Sequence, residues 1–517
     1  MSHATDRSEP EQQALSPRRQ WAALSVLLLA VLIISIDNTV LGFAVPELSE
    51  SLSPSSTQLL WIVDAYAFVL AGLLVTMGNL GDRIGRRRLL LIGATGFGAA
   101  STLAAFSTSP EMLIAARALL GVAGATLMPS TLSLIRNIFA DANRRRIAIG
   151  IWAAGFAVGA AIGPVVGGWL LEHYWWGSVF LMALPVMAVL VVAGRLLLPE
   201  SRNHEPGPFD WVSSPLSLAA IVPVVYAVKV TAEHGPTLQL LAIGAFGVAM
   251  GVVFVRRQRR VPEPMLDVSL FSHRPFAVAI ATNLVSNFGL IGGLFFIAQY
   301  LQLVTGLGPL DAGLQLLPAM GASLVASIGV VQLLRLGIAP SRLLAASLAI
   351  MSLGYLATIT LSTGSGGLQV VLAMGLVAFG VGAAGSLGTN LVIATVPPRR
   401  AGSASAISET AFELGAALGI ALLGSTINAV YRRSIDLPDA LGAADAAAAS
   451  DTLASATSVA ANLPAELAGT VREASGAAFV DGVHAAGLLG AVLLAVAAVA
   501  AARTLRGITV DDLDVEH

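Results

Sequence analysis

Long apolar runs separated by short polar connections make up most of this chain. Because a helix needs about 20 apolar residues to cross a bilayer, each run of that length is a candidate membrane span. The pattern predicts an all-α membrane protein with fourteen spans, although the seventh run is interrupted by Pro215, Pro223 and Lys229. The predicted spans are 21–44, 57–80, 88–108, 110–135, 146–171, 176–198, 211–231, 237–255, 275–304, 312–334, 341–362, 367–394, 404–430 and 481–502.

The spans fall into groups whose boundaries are polar. The second half echoes the first, since Arg335-Leu336-Gly337 stands where Arg83-Ile84-Gly85 stands in the first half. The loop at 431–480 is rich in Ala, Ser and Asp, and we expect a solvated hairpin with two short helices that break near 462–464. The predicted units are a tail at 1–20, a six-helix bundle at 21–198, two inserted helices at 211–255, a basic linker at 256–274, a second six-helix bundle at 275–502 that includes the loop 431–480, and a tail at 503–517.

The arginines predict which side of the membrane each connection occupies. If the N-terminus lies inside, 24 of the 28 arginines fall in segments on the cytoplasmic side. Only Arg432, Arg433 and Arg472 then fall outside, and Arg117 lies within a span. Short loops rich in Lys and Arg remain in the cytoplasm, so we expect both termini to be cytoplasmic.

Composition excludes several classes of function. The chain has 517 residues, of which 56% are hydrophobic and 12% are charged, whereas soluble domains carry roughly 25% charged residues. The net charge of −2 argues against a nucleic-acid partner. The chain has no Cys, and its seven His are scattered without the spacing of metal ligands, so no metal is expected. The polar N-terminal segment contains acids, and the apolar run after it is too long for a signal peptide.

The segment from Gly78 to Arg88 is short, strongly charged and placed between two apolar runs. It reads G-x-L-x-D-R-x-G-R-R, in which glycines suit a tight turn. We predict that Asp82 and the arginines of this gating loop latch the inward side through contacts with neighbouring helix ends, where a helix N-terminus favours an acid. An ordinary positively charged inner loop is the alternative, and it explains the arginines but leaves the Gly–Asp–Arg–Gly spacing unexplained. The gating-loop residues are Gly78, Asp82, Arg83, Gly85 and Arg86.

Several charged residues fall inside predicted spans. A charge at the bilayer centre costs at least about 2.5–3.5 kcal/mol, so such residues are candidates for function. Asp37 and Asp64 lie at similar depth in the outer halves of adjacent helices, and Arg117 needs an acid, for which Asp37 is the candidate. For Asp64, a hydrated position at the helix end is the alternative.

Glu409 and Glu413 lie four residues apart, so they share one face of their helix. Burial and mutual repulsion both favour the neutral form, so one of them can hold a proton near neutral pH. A wet position near the inner surface is the alternative for Glu409.

Aromatic and amide side chains near these acids predict a cavity for organic cations. Trp61 and Tyr66 flank Asp64, although Trp61 is equally suited to anchor the helix at the membrane interface. Aromatic faces bind organic cations, and carboxylates neutralise them. The predicted substrate-binding residues are Asp37, Trp61, Asp64, Tyr66, Asn287, Phe288, Phe296, Tyr300, Glu409 and Glu413.

The chain resembles the fourteen-helix drug:proton antiporters of the major facilitator superfamily. Segment 78–88 matches the signature loop of the superfamily, and 61–66 resembles the helix-2 motif of members that export quaternary ammonium compounds. Three more segments carry the resemblance: 36–46 in helix 1, Arg117 to Gly124 in helix 4, and the antiporter motif of helix 5, which contains Gly159, Gly163, Pro164, Gly167 and Gly168. Ser408 stands where some relatives have another acid, which implies narrower handling of divalent cations.

The resemblance implies a major facilitator fold with two six-helix bundles and two inserted helices. It implies a monomeric antiporter of the inner (plasma) membrane that exports amphipathic, mainly cationic drugs, dyes and antiseptics by alternating access. The proton gradient drives such export, so no cofactor is expected. Beyond the lipid bilayer, the implied partners are small amphipathic cations and protons. The implied proton-coupling residues are Asp37, Arg117, Glu409 and Glu413.

Three other functions compete with this one. The first is the export of an endogenous metabolite, lipid or siderophore, with incidental transport of drugs. The second is a membrane enzyme, against which the chain shows no His/Asp/Cys cluster, no nucleotide-binding loop and no soluble catalytic domain. The third is an ion channel or a sensor that transports nothing.

The gating loop generates a testable prediction. Replacing Asp82 with Asn should leave the protein inserted in the membrane but slow transport, because the amide keeps the shape and loses the charge that a helix N-terminus favours. The transport rate per inserted molecule checks this. A rate equal to that of the wild type would remove the proposed latch.

Overall fold

The computed structural model describes residues 16–139, 141–201, 210, 212–235, 237–261, 264, 266–396 and 401–505. The predicted tails lie largely outside these residues. The side chains of Asp82, Lys229 and Arg335 are also outside the description. The described part is helical, with the following helices: α1 (Pro17–Leu52), α2 (Ser56–Ile84), α3 (Arg86–Ala105), α4 (Pro110–Ile138), α5 (Ala142–His173), α6 (Ser178–Leu181), α7 (Ala183–Leu197), α8 (Ser213–His234), α9 (Leu238–Gln258), α10 (Arg274–Gln299), α11 (Pro309–Arg335), α12 (Pro340–Ala357), α13 (Gly367–Ala394), α14 (Ala401–Ser434), α15 (Ala443–Ala449), α16 (Leu453–Ala461) and α17 (Ala465–Thr504).

Two helix bundles share one packing order. In the first bundle α1 packs on α5, α2 on α4, and α3 on both α4 and α7. In the second bundle α10 packs on α14, α11 on α13, and α12 on both α13 and α17. The faint sequence echo between the halves therefore corresponds to a repeated arrangement of helices.

The two bundles meet along two seams. At one seam α2 faces α14, and at the other α5 faces α11. The inserted helices α8 and α9 pack on each other, and α8 also contacts both α2 and α14. We call the side where α1 ends and α15 and α16 lie the cap side, and the opposite side, where α1 begins and α17 ends, the terminus side.

Twelve helices of the described part are long and apolar enough to cross a membrane. Helices α5 and α8 are not among these twelve, although α8 contributes a shorter apolar helix over Ser213–Val224. The predicted class of fold is confirmed, and the count of fourteen spans stays a prediction.

Helix α17 begins sixteen residues before the span predicted at 481. Pro464 precedes its first turn, and the segment that follows is rich in Ala, a strong helix former. Val471, Ser475 and Phe479 are buried at a spacing of four, which is the spacing of one helix face. The connection between α14 and α17 is therefore shorter than 431–480, and it contains α15 and α16.

The glycines of the helix-5 motif let α5 lie directly on α1. Gly159 faces Ser35, Gly163 faces Thr39, and Gly167 faces Val40, and a Cβ at any of the three would crowd that neighbour. Small residues at such an interface let two membrane helices approach closely. Gly168 makes the equivalent contact across the second seam, against Pro309 and Leu310 of α11.

This packing predicts that Gly163→Ala destabilises the protein. The added methyl group would overlap the Thr39 side chain, and overpacking of this kind costs typically about 1–3 kcal/mol. Gly96→Ala is the matched control, because a Cβ there meets only Ala123 Cβ at an ordinary 3.7 Å. Thermal unfolding in detergent should show a lower midpoint for the first variant alone. Equal midpoints would contradict the close packing of α5 on α1.

A polar network joins the two inserted helices at the terminus side. Asp210 accepts hydrogen bonds from Arg257 Nη2 at 2.7 Å and from the Ser213 backbone at 3.1 Å. Gln258 donates to Ser213 Oγ at 2.6 Å. Burial alone would raise the pKa of Asp210, but the hydrogen bonds from Arg257, Ser213 and Val212 outweigh it and lower the pKa to about 2.

The network predicts that Asp210→Asn loosens the α8–α9 pair. Because the pKa of Asp210 is lowered in the folded protein, its contribution to stability is present above the ordinary value of 3.8 and is lost as the pH falls toward about 2. At pH 7 we expect a loss of about 1.5–3 kcal/mol, the value of hydrogen bonds to a charged group. Thermal unfolding of the variant, with the exposed Glu172→Gln as control, measures this. An unchanged midpoint would show that the network adds no stability.

Candidate functional site

A buried ion pair lies in the centre of the first bundle. Arg117 of α4 donates from Nη1 to Asp37 Oδ2 of α1 at 2.7 Å, and the two residues are only 2% and 5% exposed. Arg117 also donates from Nε to the Ile62 carbonyl at 3.1 Å and from Nη2 to the Val63 carbonyl at 3.4 Å, both on α2. The pairing predicted from the sequence is therefore present, and the guanidinium joins three helices.

Close packing of α4 on α2 places the guanidinium beside those carbonyls. A Cβ at Gly121 would lie 2.6 Å from the Tyr66 carbonyl oxygen, and one at Gly124 would lie 3.0 Å from Leu70 Cδ1. At Gly121 the nearest neighbouring atom is a backbone oxygen, so only glycine lets the two helices approach so closely there. Arg117 lies one turn before Gly121, so its side chain reaches the carbonyls of α2 directly.

Two aromatic rings cover the guanidinium. The Arg117 Cζ atom lies 4.7 Å from the centroid of the Tyr66 ring and 5.9 Å from that of Phe180. A cation over an aromatic face is attracted by the ring, most strongly where water is excluded. The buried Tyr66 hydroxyl has no hydrogen-bond partner among the described residues. The rings therefore hold the ion pair in a dry environment, where its electrostatic interactions are stronger than in water.

The second bundle contributes an acid to the same place. Glu413 of α14 is 4% exposed, and its side chain is hydrogen-bonded to Asn38 of α1. It lies close enough to Asp37 and Tyr66 to interact with both electrostatically. Its Oε2 atom has no hydrogen-bond partner in the described part of the chain. Acids from the two bundles therefore lie on opposite sides of the interface between them, joined through Asn38.

Two further acids from the prediction lie nearby in the fold. Asp64 is fully buried on α2, two residues before Tyr66, so the hydrated helix end considered for it is not what the structure shows. Glu409 is half-buried, one turn before Glu413 on α14. Across the described residues, no group of three or more His, Asp or Glu side chains could hold a metal ion.

Amides of α10 position the helix that carries Glu409 and Glu413. Asn283 donates to Ser408 Oγ at 2.9 Å, and Asn287 donates to the Phe412 carbonyl at 2.7 Å. Both acceptors are next to a glutamate in the chain. Asn287 therefore affects the site indirectly, by holding α14 in place. Its amide nitrogen already donates a hydrogen bond to the Phe412 carbonyl.

The aromatic residues predicted for the cavity mostly lie in helix contacts elsewhere. Trp61 is half-buried against Phe68 and against Tyr226 of α8, with ring centroids 6.1 and 6.3 Å apart. Phe296 packs on Tyr355 of α12, and the Tyr300 hydroxyl donates to the Ser362 carbonyl at 2.6 Å. Phe288 is buried where α10 lies on Gly419 of α14. The structure thus gathers Asp37, Tyr66, Arg117 and Glu413 at one place.

The loop between α2 and α3 is held by an acid that sequence analysis missed. Glu200, after α7, accepts from the Arg87 backbone at 3.0 Å and lies 3.7 Å from Arg87 Nε. Gly85 has φ 106°, a backbone conformation that favours glycine, and a Cβ there would lie 2.5 Å from Glu200 Oε1, so the carboxylate would have to shift. Gly78 packs on Pro129, while the Asp82 side chain, which we predicted as the latch, is outside the described residues. The sequence did contain a signal for this contact, because Glu200 is an acid just after a predicted span, on the same side of the membrane as the Arg-rich loop.

Known proteins match this chain over most of its length. The chain matches the Major Facilitator Superfamily over residues 27–420. It is 48% identical to the multidrug efflux pump LfrA of Mycolicibacterium smegmatis, with 93% of this chain and 96% of the relative covered. It is 37% identical to the methyl viologen resistance protein SmvA of Salmonella typhimurium (89% and 93% covered) and 32% identical to the tetracenomycin C resistance and export protein of Streptomyces glaucescens (93% and 91% covered).

Solved structures of the same fold agree with this family. A bacterial homolog of the human lysosomal transporter Spinster, in an inward-facing and unoccupied conformation, superposes with a TM-score of 0.66 at 18% identity, with 95% of this chain and 98% of that chain covered. The peptide transporter POT in complex with sulfate superposes with a TM-score of 0.62 at 16% identity, with 95% and 96% covered. The chain therefore belongs to the Major Facilitator Superfamily, and its relatives are bacterial multidrug efflux and drug-resistance transporters.

Proposed function

We propose that this protein is a proton-coupled antiporter that exports amphipathic, mainly cationic drugs, dyes and antiseptics. The observation that carries the proposal is the buried Asp37–Arg117 pair beside Glu413 of the other bundle. A transporter couples two fluxes when binding of each solute biases the same conformational equilibrium. Titratable groups at the interface of two moving bundles meet that requirement.

Protonation of these acids changes what holds the bundles together. A proton on Asp37 removes one charge of the pair and leaves Arg117 with the carbonyls of Ile62 and Val63. A proton on Glu413 changes its hydrogen bond with Asn38, which joins α1 to α14. In the outward-facing state the acids take up protons and the drug leaves. In the inward-facing state the carboxylates lose protons and attract the next cation.

The acids also support cationic substrates. Asp64, Glu409 and Glu413 supply negative charge at buried or half-buried positions, and a large organic cation loses less hydration on entering such a site than a small hydrated ion does. The name of SmvA records resistance to methyl viologen, which is an organic dication. No cofactor is required, because the proton gradient supplies the energy.

The arginine distribution and the contacts between bundles support an orientation. We place both termini in the cytoplasm, the cap side outside, and the protein as a monomer in the inner (plasma) membrane. Several contacts between the bundles lie toward the cap side: Gly42 is against Phe295, Gly168 against Leu310, and Gly424 against Leu60. Closure at this end is the arrangement of an inward-facing transporter, which is also the state of the Spinster homolog.

Export of an endogenous metabolite is a second candidate. Relatives at 32% identity include the tetracenomycin C resistance and export protein and a probable actinorhodin transporter of Streptomyces coelicolor, whose names record export of tetracenomycin C and transport of actinorhodin. Binding of unlabelled metabolite extracts to the purified protein, identified by mass spectrometry, distinguishes the two. A bound endogenous compound that competes with ethidium would favour this candidate.

The proposal predicts the behaviour of Asp37→Asn. In proteoliposomes, ethidium uptake driven by a proton gradient should fall to background, because the variant cannot exchange a proton at this position. Exchange of ethidium for ethidium without a gradient should persist in a variant that has lost only coupling. Asp311→Asn, an exposed acid in the first turn of α11, is the matched control and should behave as the wild type.

Two results would count against this assignment. Gradient-driven uptake that survives in Asp37→Asn would move the coupling to Glu409 and Glu413 of α14. Loss of both gradient-driven uptake and ethidium-for-ethidium exchange in well-inserted protein would assign Asp37 a structural role, in agreement with its pairing to Arg117.

A further inference from the structure

Three polar residues are connected by hydrogen bonds where the two bundles meet on the cap side. Arg432, near the end of α14, donates from Nη2 to Asp451 Oδ1 at 2.6 Å and also to the Ser56 hydroxyl. The Ser56 backbone, at the start of α2, donates to Asp451 Oδ2 at 3.0 Å. Asp451 lies between α15 and α16. We call this network the cap latch; it ties the first bundle, the second bundle and the cap segment to one another.

The cap segment, residues 435–464, is a small folded unit. Its short helices pack with the start of α17 around a core of their own that includes Leu441, Ala449 and Val471. The Tyr431 hydroxyl donates to the Ala449 carbonyl at 2.8 Å, which ties the segment to α14. The Thr452 side chain accepts from the Ser455 backbone and begins α16. The segment is therefore anchored to the second bundle, and its contact with Ser56 reaches across to the first.

A cavity lies directly beneath the cap segment. Its walls come from both bundles, with Leu60 of α2 on one side and Phe295, Asn428 and Phe479 of α10, α14 and α17 on the other. Thr452 and Leu453, at the start of α16, close it from the cap side. The cavity lies beside the contact between α2 and α14, which has to open if the bundles separate on the cap side.

We propose that the cap segment is a lid on the exit path and that the cap latch holds it closed. The inference rests on the proposed function, because a lid is needed only if the bundles separate on this side. Separation of α2 from α14 pulls Ser56 away from Arg432 and Asp451, so the latch must break for the exit to open. Arg432 and Asp451 are partly exposed, with 25% and 29% of their side chains accessible, so water can replace the broken contacts.

The natural absence of cysteine makes opening directly measurable. Asn428→Cys places one thiol on the wall of the cavity, and a membrane-impermeant maleimide added on the cap side reports access to it. Arg432→Ala in this background should increase the labelling rate about tenfold or more, because lost hydrogen bonds to a charged group shift an equilibrium by that order. Arg433→Ala is the matched control, because its side chain is exposed beside the latch.

A charge exchange tests whether the pair itself is responsible. Asp451→Arg alone should label fastest, because two arginines then repel each other. Arg432→Asp combined with Asp451→Arg restores opposite charges and should return the rate toward that of the parent. Asp451→Asn, which keeps the shape of the side chain, serves if Arg432→Ala does not fold.

Cross-linking tests the need for opening during transport. A disulfide between Ser56→Cys and Asp451→Cys should stop ethidium export, and a reductant should restore it. The labelling rate reports whether the lid is open, regardless of whether transport is coupled to protons. Failure of the proposed function would therefore not change the interpretation of the labelling rate. Labelling rates that are equal in Arg432→Ala, Asp451→Asn and the parent would overturn the latch. Full export by the cross-linked protein would overturn the lid.

Discussion

The structure depends first on the buried ion pair between Arg117 and Asp37. An unpaired charge in this position would be expensive, and removing one partner of a buried pair typically costs about 3–5 kcal/mol. The pair is satisfied because α1 supplies the carboxylate, α2 supplies two carbonyls, and α4 supplies the guanidinium. These three helices must therefore remain in register, so the first bundle is best described as a rigid unit around this pair.

Small residues allow this register, and they also shape the rest of the molecule. Gly121 brings α4 onto α2, while Gly159 and Gly163 bring α5 onto α1. Membrane helices gain little from apolar burial alone, so close packing and internal hydrogen bonds have to hold each bundle together. At the interface between the bundles, the titratable Glu413 of α14 contacts Asn38 of α1 and lies close to Asp37. Rigid bundles with acids at their contact surface suit a transporter whose conformation responds to protonation.

Apolar run length and charge predicted much of this arrangement from sequence. The all-helical class follows from run lengths near the width of a bilayer, and the pairing of Arg117 with Asp37 follows from the cost of an isolated charge in a span. The neighbours of an aromatic residue were harder to predict from sequence, because Phe296 and Tyr300 lie on a helical segment that is buried almost all round. Hydrophobic periodicity carries no signal for such a helix, so its contacts with α12 became visible only in three dimensions.

Long-range polar partners were also beyond sequence reasoning. Glu200 and the gating loop are more than a hundred residues apart, as are Asn38 and Glu413, and no local pattern links the members of either pair. The Ala-rich segment after Pro464 was a local signal for the early start of α17. The charged residues of that segment, however, favoured its interpretation as a solvated loop. Local pattern thus predicts elements, while the identity of partners depends on how the bundles pack.

The central claim is that proton movement and drug movement are coupled in opposite directions. Its most direct test follows ethidium and internal pH at the same time in proteoliposomes of the wild-type protein under an imposed proton gradient. The account predicts that protons and ethidium move in opposite directions, that each gradient can drive the other flux, and that no protein-dependent proton flux occurs when ethidium is absent. Ethidium movement that proceeds at the same rate without a proton gradient, and without any change in internal pH, would contradict it.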